Sequence, residues 1–537
     1  MKCFRAGVLG ALIATATAST IQNGTYDYIV VGGGPAGIIT AERFIEAGKK
    51  VLLLERGVGP TVATGDTQTL SWNDTLTAVD VPGLSASLGE TDVFSQDLCT
   101  DTAGTAACVL GGGVTVNYMV FVHPPAHDFD DKWPLGWKWH DVSSAADRLY
   151  ARNPGTILPS ADGKRYDQGA YNVFSSFFAK LGWTSVDMIT QPDEKYQVYS
   201  YPAWNIKDQK RAGPVRTYLP LAEESPNFTL SMSTKVNRLV RCGSNVTGVE
   251  LDVNGTSEIV TVAPNGRVVL AAGTMSTPRI LFNSGIGPKS QIEIAQESGV
   301  TLPPSNEWIY LPVGYNFKDH DIFSIIVETN GTFSPLNGTN VYDGADTHDI
   351  DQYEDTNSGV LTQGKHRMIF FSSNVASDGH KRYFQGSCAP TGPGEITITT
   401  YMTHGLTSSG VLGLDVNGST VVEKSPYMQT DGDREAATEF ISSLVADFTS
   451  PSSGFSLSTY TNTSAILGSL TSGIHYVGTA KMGPDDGTSV VDINTKVYGT
   501  DNLFVVDGSI HPDLPTGNIQ ATIMIVAEAA AARILSI

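Results

Sequence analysis

The sequence predicts an α/β protein, and three observations support this fold class. Tyr28–Val31 and Val51–Leu54 are short apolar runs typical of buried strands, and an amphipathic stretch that ends at Ala47 separates them. Glu395–Met402 alternates polar and apolar residues, which is typical of a strand with one buried face. Ala521–Leu535 is a run of small and apolar residues that predicts a buried helix. We therefore expect a strand–helix–strand domain and a second domain built on an antiparallel sheet.

Length and composition agree with a large globular protein. The chain has 537 residues and a mass of 57.1 kDa, so two or more domains, or one domain with insertions, are expected. Hydrophobic residues make up 41% and charged residues 17%, which argues against disorder. The formal net charge is −21, and such a surface repels nucleic acid and anionic lipid. We therefore expect neither a nucleic-acid nor a membrane partner, and we expect a monomer.

The N-terminal segment 1–18 has the features of a secretory signal peptide. Lys2 and Arg5 precede the apolar run Ala6–Ala14, and small residues after it provide a cleavage site. The run is too short to span a bilayer, which takes about 20 residues. The sequence therefore predicts a secreted, extracellular glycoprotein, and it contains these N-x-S/T sequons: Asn23, Asn73, Asn227, Asn245, Asn254, Asn330, Asn337, Asn417 and Asn462.

The cysteines predict one disulfide. Cys99 and Cys108 enclose a short segment rich in Gly, Ala and Thr, and secretion permits disulfides, so we expect these two residues to pair. The spacing leaves open whether Cys242 and Cys388 are free thiols or form a second bridge. C-x-x-C and H-E-x-x-H patterns do not occur in the sequence, so we expect no metal site.

A glycine-rich turn follows the first predicted strand. Gly32 allows a tight turn, Gly34 lets backbone N–H groups approach a pyrophosphate, and Gly37 lets the next helix pack on the sheet. Glu55 ends the second strand and can accept hydrogen bonds from ribose hydroxyls. Together they predict a Rossmann-like domain that binds an adenine dinucleotide. A secreted enzyme cannot draw on a cellular NAD pool, so we expect FAD.

Three further segments resemble the glucose–methanol–choline (GMC) oxidoreductase family: Ala107–Asn117, Gly273–Gly287 and His475–Asn518. The resemblance covers nearly the whole chain after the predicted signal peptide and implies an inserted substrate domain beside a non-covalently bound FAD. Val114 departs from the family, which has Ser or Thr there. The resemblance assigns further cofactor contacts to Arg56, Gly111, Gly112, Val114, Asn117, Val236, Asp507, Gly508 and Ile519.

Within the family, the sequence is most similar to the flavin domain of cellobiose dehydrogenases. The similarity lies in Lys49–Gly57, Asp80–Leu84, Lys210–Pro214 and Leu514–Asn518. Those enzymes carry an N-terminal cytochrome, and here the predicted signal peptide leads directly into the glycine-rich turn. We therefore expect an oligosaccharide dehydrogenase without a haem domain. Ile474 stands where the subgroup has Asn, which puts the preference for cellobiose itself in doubt.

The resemblance also identifies the candidate catalytic pair. His475 corresponds to the family's catalytic histidine, and a histidine suits proton transfer near neutral pH. Asn518 corresponds to the second member of the pair, although it could equally be the N-cap of the following helix. Tyr401 and Trp204 correspond to aromatic residues near the substrate; the simpler alternatives are a core tyrosine and a surface tryptophan.

These assignments predict a secreted FAD-dependent dehydrogenase. It would oxidise the anomeric C1 hydroxyl of cello- or related oligosaccharides to the lactone, with hydride transfer to flavin N5 and electrons passed to a quinone or another acceptor. The alternatives are an aryl-alcohol or glucose oxidase or dehydrogenase, and a hydroxynitrile lyase in which the flavin is structural. The predicted segments are a signal peptide at 1–18, a discontinuous FAD domain at 19–141, 210–308 and 468–537, and a substrate domain at 142–209 and 309–467.

Overall fold

A computed structural model describes residues 25–87, 92–253 and 255–537. The predicted signal peptide and the sequons at Asn23 and Asn254 lie outside these ranges. Within them, no helix combines the length and the apolar character needed to cross a membrane.

The strands are, in chain order, β1 Tyr26–Val31, β2 Val51–Leu54, β3 Thr69–Leu70, β4 Asn73–Thr77, β5 Thr184–Ser185, β6 Val198–Ser200, β7 Ile206–Lys207, β8 Lys210–Arg211, β9 Phe228–Ser231, β10 Lys235–Cys242, β11 Asn245–Val253, β12 Thr256–Leu270, β13 Tyr315–Phe317, β14 Asp321–Thr329, β15 Met368–Val375, β16 Lys381–Gly392, β17 Glu395–Met402, β18 Gly410–Leu414, β19 Thr420–Lys424, β20 Phe455–Leu457, β21 Thr471–Ser472 and β22 Leu503–Val505.

The α-helices are α1 Pro35–Glu46, α2 His127–Asp130, α3 Trp139–Arg152, α4 Gly169–Lys180, α5 Pro214–Thr217, α6 Leu219–Glu223, α7 Thr277–Phe282, α8 Lys289–Glu297, α9 Gly338–Tyr342, α10 Thr347–Thr356, α11 Asp431–Thr449, α12 Thr463–Leu467 and α13 Gln520–Ser536. The predicted strand–helix–strand unit, alternating strand and C-terminal buried helix are all present. They correspond within a few residues to β1–α1–β2, β17 and α13.

A sheet of seven strands forms the first core. Its order is β10-β11-β12-β1-β2-β9, and β22 pairs with the end of β12. β1 runs parallel to β2 and β12, and β22 is parallel to β12. The strands at its centre are apolar and buried, and α1 packs against β1 and β2 as well as against α13. This arrangement confirms the predicted α/β class and the Rossmann-like unit.

A second sheet of eight strands forms the other large core. Its order is β20-β14-β17-β16-β15-β6-β5, with β21 paired to β14. The central pairs β14–β17, β16–β17 and β15–β16 are antiparallel. α4 and α11 contribute phenylalanines to its apolar face, including Phe174, Phe178 and Phe440. β14 pairs with both β17 and β21. The start of β14 therefore lies next to the segment that contains His475, because Asp321 pairs with Ser472.

The domain boundaries stay a prediction. The packing of α3 and of β18 is relevant to their position. α3 packs on α13, and its buried residue Leu149 belongs to the core of the seven-stranded sheet, although the predicted substrate domain begins at 142. β18 contacts α7 and α8, and Leu414 is part of the same core. The two predicted domains are therefore interleaved in packing as well as in sequence.

The disulfide predicted from the sequence is present. Cys99 and Cys108 are bonded, with their Cα atoms 5.1 Å apart. Cys242 is an exposed free thiol and Cys388 a buried one. The second bridge that the spacing left open does not form between them.

Candidate active site

The glycine-rich turn between β1 and α1 is shaped by backbone contacts. Gly32 has φ +107°, and a Cβ atom there would lie 2.3 Å from the carbonyl oxygen of Ala271. A Cβ atom on Gly37 would lie 1.9 Å from the carbonyl oxygen of Gly32. Gly34 is the N-cap of α1 and supplies no side chain to its free N–H groups. The turn therefore presents uncapped amides, which suit a pyrophosphate.

Glu55 closes this turn from the end of β2. Its carboxylate accepts hydrogen bonds from the backbone N–H groups of Gly33 (2.6 Å) and Gly57 (2.7 Å). The side chain is buried, and burial raises the pKa of the carboxyl despite these two bonds. Glu55 thus holds the turn in place and lies where a Rossmann-like unit binds the ribose.

The second glycine cluster rests on the first. The N–H of Gly111 donates to the carbonyl of Gly33 (2.7 Å), and a Cβ atom on Gly112 would lie 3.1 Å from the Cα atom of Gly34. Val114 is buried, and its carbonyl accepts a hydrogen bond from Arg211 (3.1 Å). The fold therefore brings the two predicted cofactor-binding loops together.

Arg211 was not predicted as a site residue. Besides Val114, its guanidinium donates to both the carbonyl (2.9 Å) and the side-chain oxygen (3.1 Å) of Asn117. Arg211 is buried, and burial lowers the pKa of its guanidinium to about 9. The arginine therefore holds the second glycine loop through carbonyl oxygens.

Arg56, predicted to contact the cofactor, pairs with Asp101. Two nitrogens of its guanidinium lie 3.1 and 2.9 Å from the two carboxylate oxygens of Asp101. The same carboxylate pairs with Lys235 and Arg279, each at 3.0 Å. Asp101 lies inside the loop that the Cys99–Cys108 disulfide closes. We call this arrangement of Asp101 and its three cations the cofactor-side clamp.

The C-terminal motif joins this region at Asp507. Its carboxylate accepts from the N–H of Gly273 (2.9 Å) and from the hydroxyl of Thr277 (2.6 Å), both in the second family-like segment. The carbonyl of Gly508 accepts from the N–H of Gly478 (3.0 Å). Asp507 and Gly508 therefore connect the C-terminal motif to the GMC-like segment Gly273–Gly287 and to the backbone just after His475.

His475 lies in a short loop after β21 that Asp319 holds. Asp319 accepts hydrogen bonds from the backbone N–H groups of His475 (2.7 Å) and Ile474 (3.2 Å) and from the hydroxyls of Ser472 (2.6 Å) and Tyr427 (2.7 Å). Asp319 is 1% exposed, and each of these donors is neutral. We call this arrangement the catalytic-side clamp.

Ile474 is held in an unfavourable backbone conformation beside the catalytic candidate. Its φ is +57°, which β-branched residues avoid, and its side chain is half exposed. Such strain persists where surrounding contacts enforce it and is often found at functional sites. Here the hydrogen bond from its N–H to Asp319 enforces it.

Asn518 and His475 are in contact. The side-chain nitrogen Nδ2 of Asn518 lies 3.2 Å from Nε2 of His475, and Asn518 Oδ1 accepts a hydrogen bond from Gln385 (2.9 Å). The N-cap of α13 is Ile519, so Asn518 precedes the helix, and the alternative capping role is not observed. Because Gln385 donates to its oxygen, the amide of Asn518 presents its N–H groups to His475.

His320 contacts the same ring at its other nitrogen. Nδ1 of His320 lies 2.9 Å from Nδ1 of His475, and Nε2 of His320 lies 3.2 Å from the carbonyl oxygen of Pro515. Burial, and then the charge of His475, place the pKa of His320 well below its usual value. Burial lowers the pKa of His475 to about 4, against the opposing effect of Asp319. Both rings are therefore neutral near pH 7.

Tyr401 lies beside these histidines, as predicted for a substrate residue. Its ring centroid is 5.9 Å from that of His475 and 6.3 Å from that of His320. It pairs across the sheet with Gln385, whose Oε1 is buried and without a hydrogen-bond partner among the described residues. Tyr401 and Gln385 thus form one polar and aromatic wall next to the His475–Asn518 pair.

Two predicted site residues, Trp204 and Val236, are buried in hydrophobic clusters. Trp204 is 3% exposed and packs against Met119 and Ile206, so it is not the surface tryptophan of the simpler alternative. Val236 is a buried residue of β10 that pairs with Leu251. Their predicted roles toward substrate and adenine stay predictions.

Sequence reasoning missed Asp319, His320 and Gln385. The first two lie in Lys318–Asp321, whose charged composition is typical of an exposed turn, and ten histidines gave no means of choosing among them. The turn Leu311–Asn316 just before them also resembles a GMC family turn, and this was the available sequence indication. Gln385 lies shortly before Ala389, near which an Arg of the cellobiose dehydrogenases is replaced, and no role was assigned to Gln385 itself. Each acts on a residue more than 130 positions away.

Comparison with known proteins identifies the family. Models described as GMC oxidoreductase match residues 26–322 and 411–527. The chain belongs to the GMC oxidoreductase family. Members of this family are FAD-binding oxidoreductases, so the predicted family and cofactor are confirmed.

Curated relatives of this GMC protein are full-length and distant. The chain is 27% identical to the chloroplastic fatty acid photodecarboxylase of Chlamydomonas reinhardtii, over 99% of the chain and 94% of that protein. It is 27% identical to the oxygen-dependent choline dehydrogenase of Vibrio vulnificus, over 95% of the chain and 94% of the relative. It is 24% identical to the ecdysone oxidase of Spodoptera littoralis, over 95% and 92%.

Solved structures share the fold of this GMC protein. An FAD-dependent oxidoreductase from Chaetomium thermophilum superposes with a TM-score of 0.75 at 20% identity, over 95% of this chain and 99% of that one. A fungal aryl-alcohol oxidase gives a TM-score of 0.71 at 18% identity, over 95% and 99%. At this identity the likeness shows the fold alone.

The described residues fit an FAD molecule. Cβ atoms on Gly32 and Gly37 would collide with the backbone carbonyls of Ala271 and Gly32, so both glycines let the turn close tightly. A Cβ atom on Gly113 in the second glycine loop would meet no protein atom within 4 Å, and the first amides of α1 lack a side-chain cap. FAD supplies the hydride acceptor when bound. Gly34, Glu55 and Gly112 would hold its adenosine and pyrophosphate. The N-terminus of α13, at Ile519, would stabilise negative charge.

Proposed function

We propose that this FAD-dependent GMC enzyme oxidises the anomeric C1 hydroxyl of cello- or related oligosaccharides to the lactone. The observation that carries the proposal is the contact of His475 with Asn518, in which the histidine is neutral and faces an amide N–H group. A neutral imidazole can accept the proton of a substrate hydroxyl, and the amide can donate to the same oxygen.

The wall beside this pair supports a polyhydroxylated substrate. Tyr401 offers an aromatic surface of the kind on which sugar rings pack, and Gln385 Oε1 is a buried acceptor that a substrate hydroxyl could satisfy. The sequence resemblance to the flavin domain of cellobiose dehydrogenases points to the same substrate class.

We also propose that the enzyme works outside the cell as a monomer with non-covalently bound FAD and passes its electrons to a quinone or another acceptor. The predicted signal peptide and the Cys99–Cys108 disulfide support an oxidising compartment.

The second candidate is oxidation of an aryl alcohol, which one observation favours. Ile474, next to His475, is apolar and half exposed, whereas a sugar-binding residue there would offer a hydrogen-bonding group. An aryl ring could pack on Ile474 and Tyr401.

Anaerobic stopped-flow spectroscopy tests both candidates. We expect cello- or malto-oligosaccharides to bleach the flavin absorbance of the purified holoenzyme, with lactone as product. Bleaching by aryl alcohols but by no sugar would establish the second candidate. Substrate turnover with the flavin still oxidised would overturn both and indicate a lyase.

A His475→Ala variant completes the test. It should keep its flavin and lose at least about 10²-fold in reduction rate, because a positioned general base contributes about 10²–10⁴-fold. If this variant reduced its flavin at the wild-type rate, His475 would not be the proton acceptor.

A further inference from the structure

We propose that His320 is a positioning residue that fixes the tautomer of His475, so that in the neutral ring Nε2 is the nitrogen without a proton. The inference deepens the proposed function and rests on His475 being the proton acceptor there. It follows from the hydrogen bonds that join Pro515, His320, His475 and Asn518 in series.

Only one assignment of donors and acceptors is consistent with these hydrogen bonds. The carbonyl oxygen of Pro515 can only accept, so Nε2 of His320 must carry a proton and donate it. His320 is buried and neutral, and a neutral imidazole carries one proton, so its Nδ1 is an acceptor. The contact of 2.9 Å between the two Nδ1 atoms therefore requires the proton on His475.

The direction leaves His475 ready to act as a base. With Nδ1 protonated, neutral His475 has its free lone pair on Nε2, the atom that faces Asn518 Nδ2. The amide orientation set by Gln385 is consistent, because it presents an N–H donor to that lone pair. Pro515 and Gln385 thus impose the same protonation pattern from opposite ends.

The pattern also survives the reaction. As the substrate hydroxyl gives its proton to His475 Nε2, the O–H electrons would form the carbonyl, and FAD, when bound, would accept the hydride with both C–H electrons. The resulting imidazolium still donates its Nδ1–H to the His320 acceptor, and its new Nε2–H donates to the oxygen of the carbonyl product, so both N–H groups have acceptors. His320 changes neither its own proton nor its partners during this step.

The groups around His320 leave few other ways to hold the ring. Asp319 contacts the backbone of the His475 loop and the N–H of His320, and Tyr401 packs edge-on to the His320 ring. Neither bonds a ring nitrogen of His475 in the described residues. The tautomer of His475 is therefore set by His320 on one side and Asn518 on the other.

A matched pair of variants separates this role from simple packing. His320→Leu removes the acceptor, and His320→Asn places an oxygen at the same side-chain branch. His123→Leu is the control: His123 is also buried and also lies 3.2 Å from a proline carbonyl, that of Pro154, away from His475.

Flavin reduction at saturating substrate gives the first readout, with whichever compound bleaches the wild-type flavin. We expect His320→Leu to fall about 10²-fold in rate with KM changed less than about threefold, because the wrong tautomer removes the base but not the contact. His320→Asn should recover to within about tenfold of wild type, and His123→Leu should keep the wild-type rate. Equal losses in the Leu and Asn variants would overturn the proposal.

Nitrogen NMR of protein labelled with ¹⁵N-histidine gives a second readout that needs no substrate. His475 is assigned by its loss in His475→Gln. We expect wild-type His475 to show a protonated Nδ1 and an unprotonated Nε2 at pH 7, and His320→Leu to populate the opposite tautomer. A wild-type His475 protonated at Nε2 refutes the inference even if no variant folds. This result is independent of which substrate the enzyme oxidises, so a failed sugar screen leaves it intact.

Discussion

Asp101 and Asp319 are two aspartates that organise opposite ends of the site by different means. Asp101, in the cofactor-side clamp, pairs with Arg56, Lys235 and Arg279. Asp319, in the catalytic-side clamp, accepts from neutral N–H and O–H groups of residues 472–475 and Tyr427. One clamp is held by opposite charges and the other by hydrogen-bond donors.

The difference suits what each clamp holds. The cofactor-side clamp is 19% exposed at the Asp101 side chain, so salt can screen it and the surrounding loops can adjust. The catalytic-side clamp excludes water and fixes a strained loop, and it introduces no cation that would compete with His475 for its proton. A charge-based clamp is therefore adjustable, and a neutral one is rigid.

Asp319→Asn should have the largest effect of these substitutions, because it disrupts the catalytic-side clamp directly. The amide replaces one acceptor oxygen by a donor, so at least two of the N–H and O–H groups that donate to Asp319 lose their acceptor. We expect roughly 3–5 kcal/mol less stability and a fall of about 10²–10³-fold in flavin reduction. Chemical denaturation and stopped-flow reduction measure the two effects.

Tyr427→Phe is the matched control, because it removes one donor and leaves the acceptor intact. It should cost about 1 kcal/mol and less than about fivefold in rate. If both variants behaved alike, the loop would be held by something other than Asp319.

Opening the disulfide tests the scaffold of the cofactor-side clamp. The Cys99→Ser/Cys108→Ser double variant frees a loop whose ends are nine residues apart, and loop-closure entropy predicts a loss of about 2–3 kcal/mol. FAD release during heating should move to lower temperature. Cys242→Ser, at an exposed free thiol, should leave the release temperature unchanged.

Asp101→Asn tests the charge in the same clamp. We expect a loss of about 1–2 kcal/mol, weaker FAD binding by about tenfold, and a reduction rate within about twofold of wild type once FAD is saturating. The wild-type FAD affinity should fall with added salt, and the variant should respond less. Asp74→Asn, exposed and with the same change in formal charge, serves as control; an equal loss there would mean that net charge, not the clamp, is responsible.

Acidification should affect the catalytic-side clamp at a higher pH than the cofactor-side clamp, and the expected effect is smaller than those of the substitutions. His475 has its pKa lowered to about 4 by burial, so its stabilising contribution is complete above the unfolded value of 6.5 and is lost as the pH falls toward 4. Burial opposes the charge of Asp101, but Arg56 and Arg279 hold the pKa of that carboxyl well below its usual value of 3.8. Its contribution is complete above 3.8 and is lost only below it.

Catalysis should therefore fail before FAD is released. The kcat/KM value should halve near pH 4, and the fluorescence of free FAD should appear only at lower pH. Simultaneous loss of both would show that the two clamps do not respond separately.

Much of this architecture was predictable because its determinants are local. The turn around Gly32, Gly34 and Gly37 and the runs that became β1, β2 and α13 need only neighbouring residues to specify them. His475 and Asn518 were predicted through a family pattern at the end of the chain. The pairing of Cys99 with Cys108 required only proximity in sequence.

The support of the catalytic pair was not predictable, since it depends on pairing between distant strands. His320 reaches His475 because β14 pairs with β21, and Gln385 in β16 reaches Asn518, which precedes α13 and lies 133 positions away. No periodicity in the sequence encodes those registers. The structure, not the spacing, distinguishes these residues from other buried polar groups.

The position of β22 and α13 has a consequence for biosynthesis. A ribosome makes β1, α1 and β2 first, yet β22 completes the parallel sheet and α13 covers α1. α1 can pack early on β1, β2, α5 and α6, but the part of its surface that contacts α13 has its partner only after Gln520–Ser536 has been translated. We expect the nascent chain to need protection during that interval and to bind FAD stably only after α13 has packed on α1.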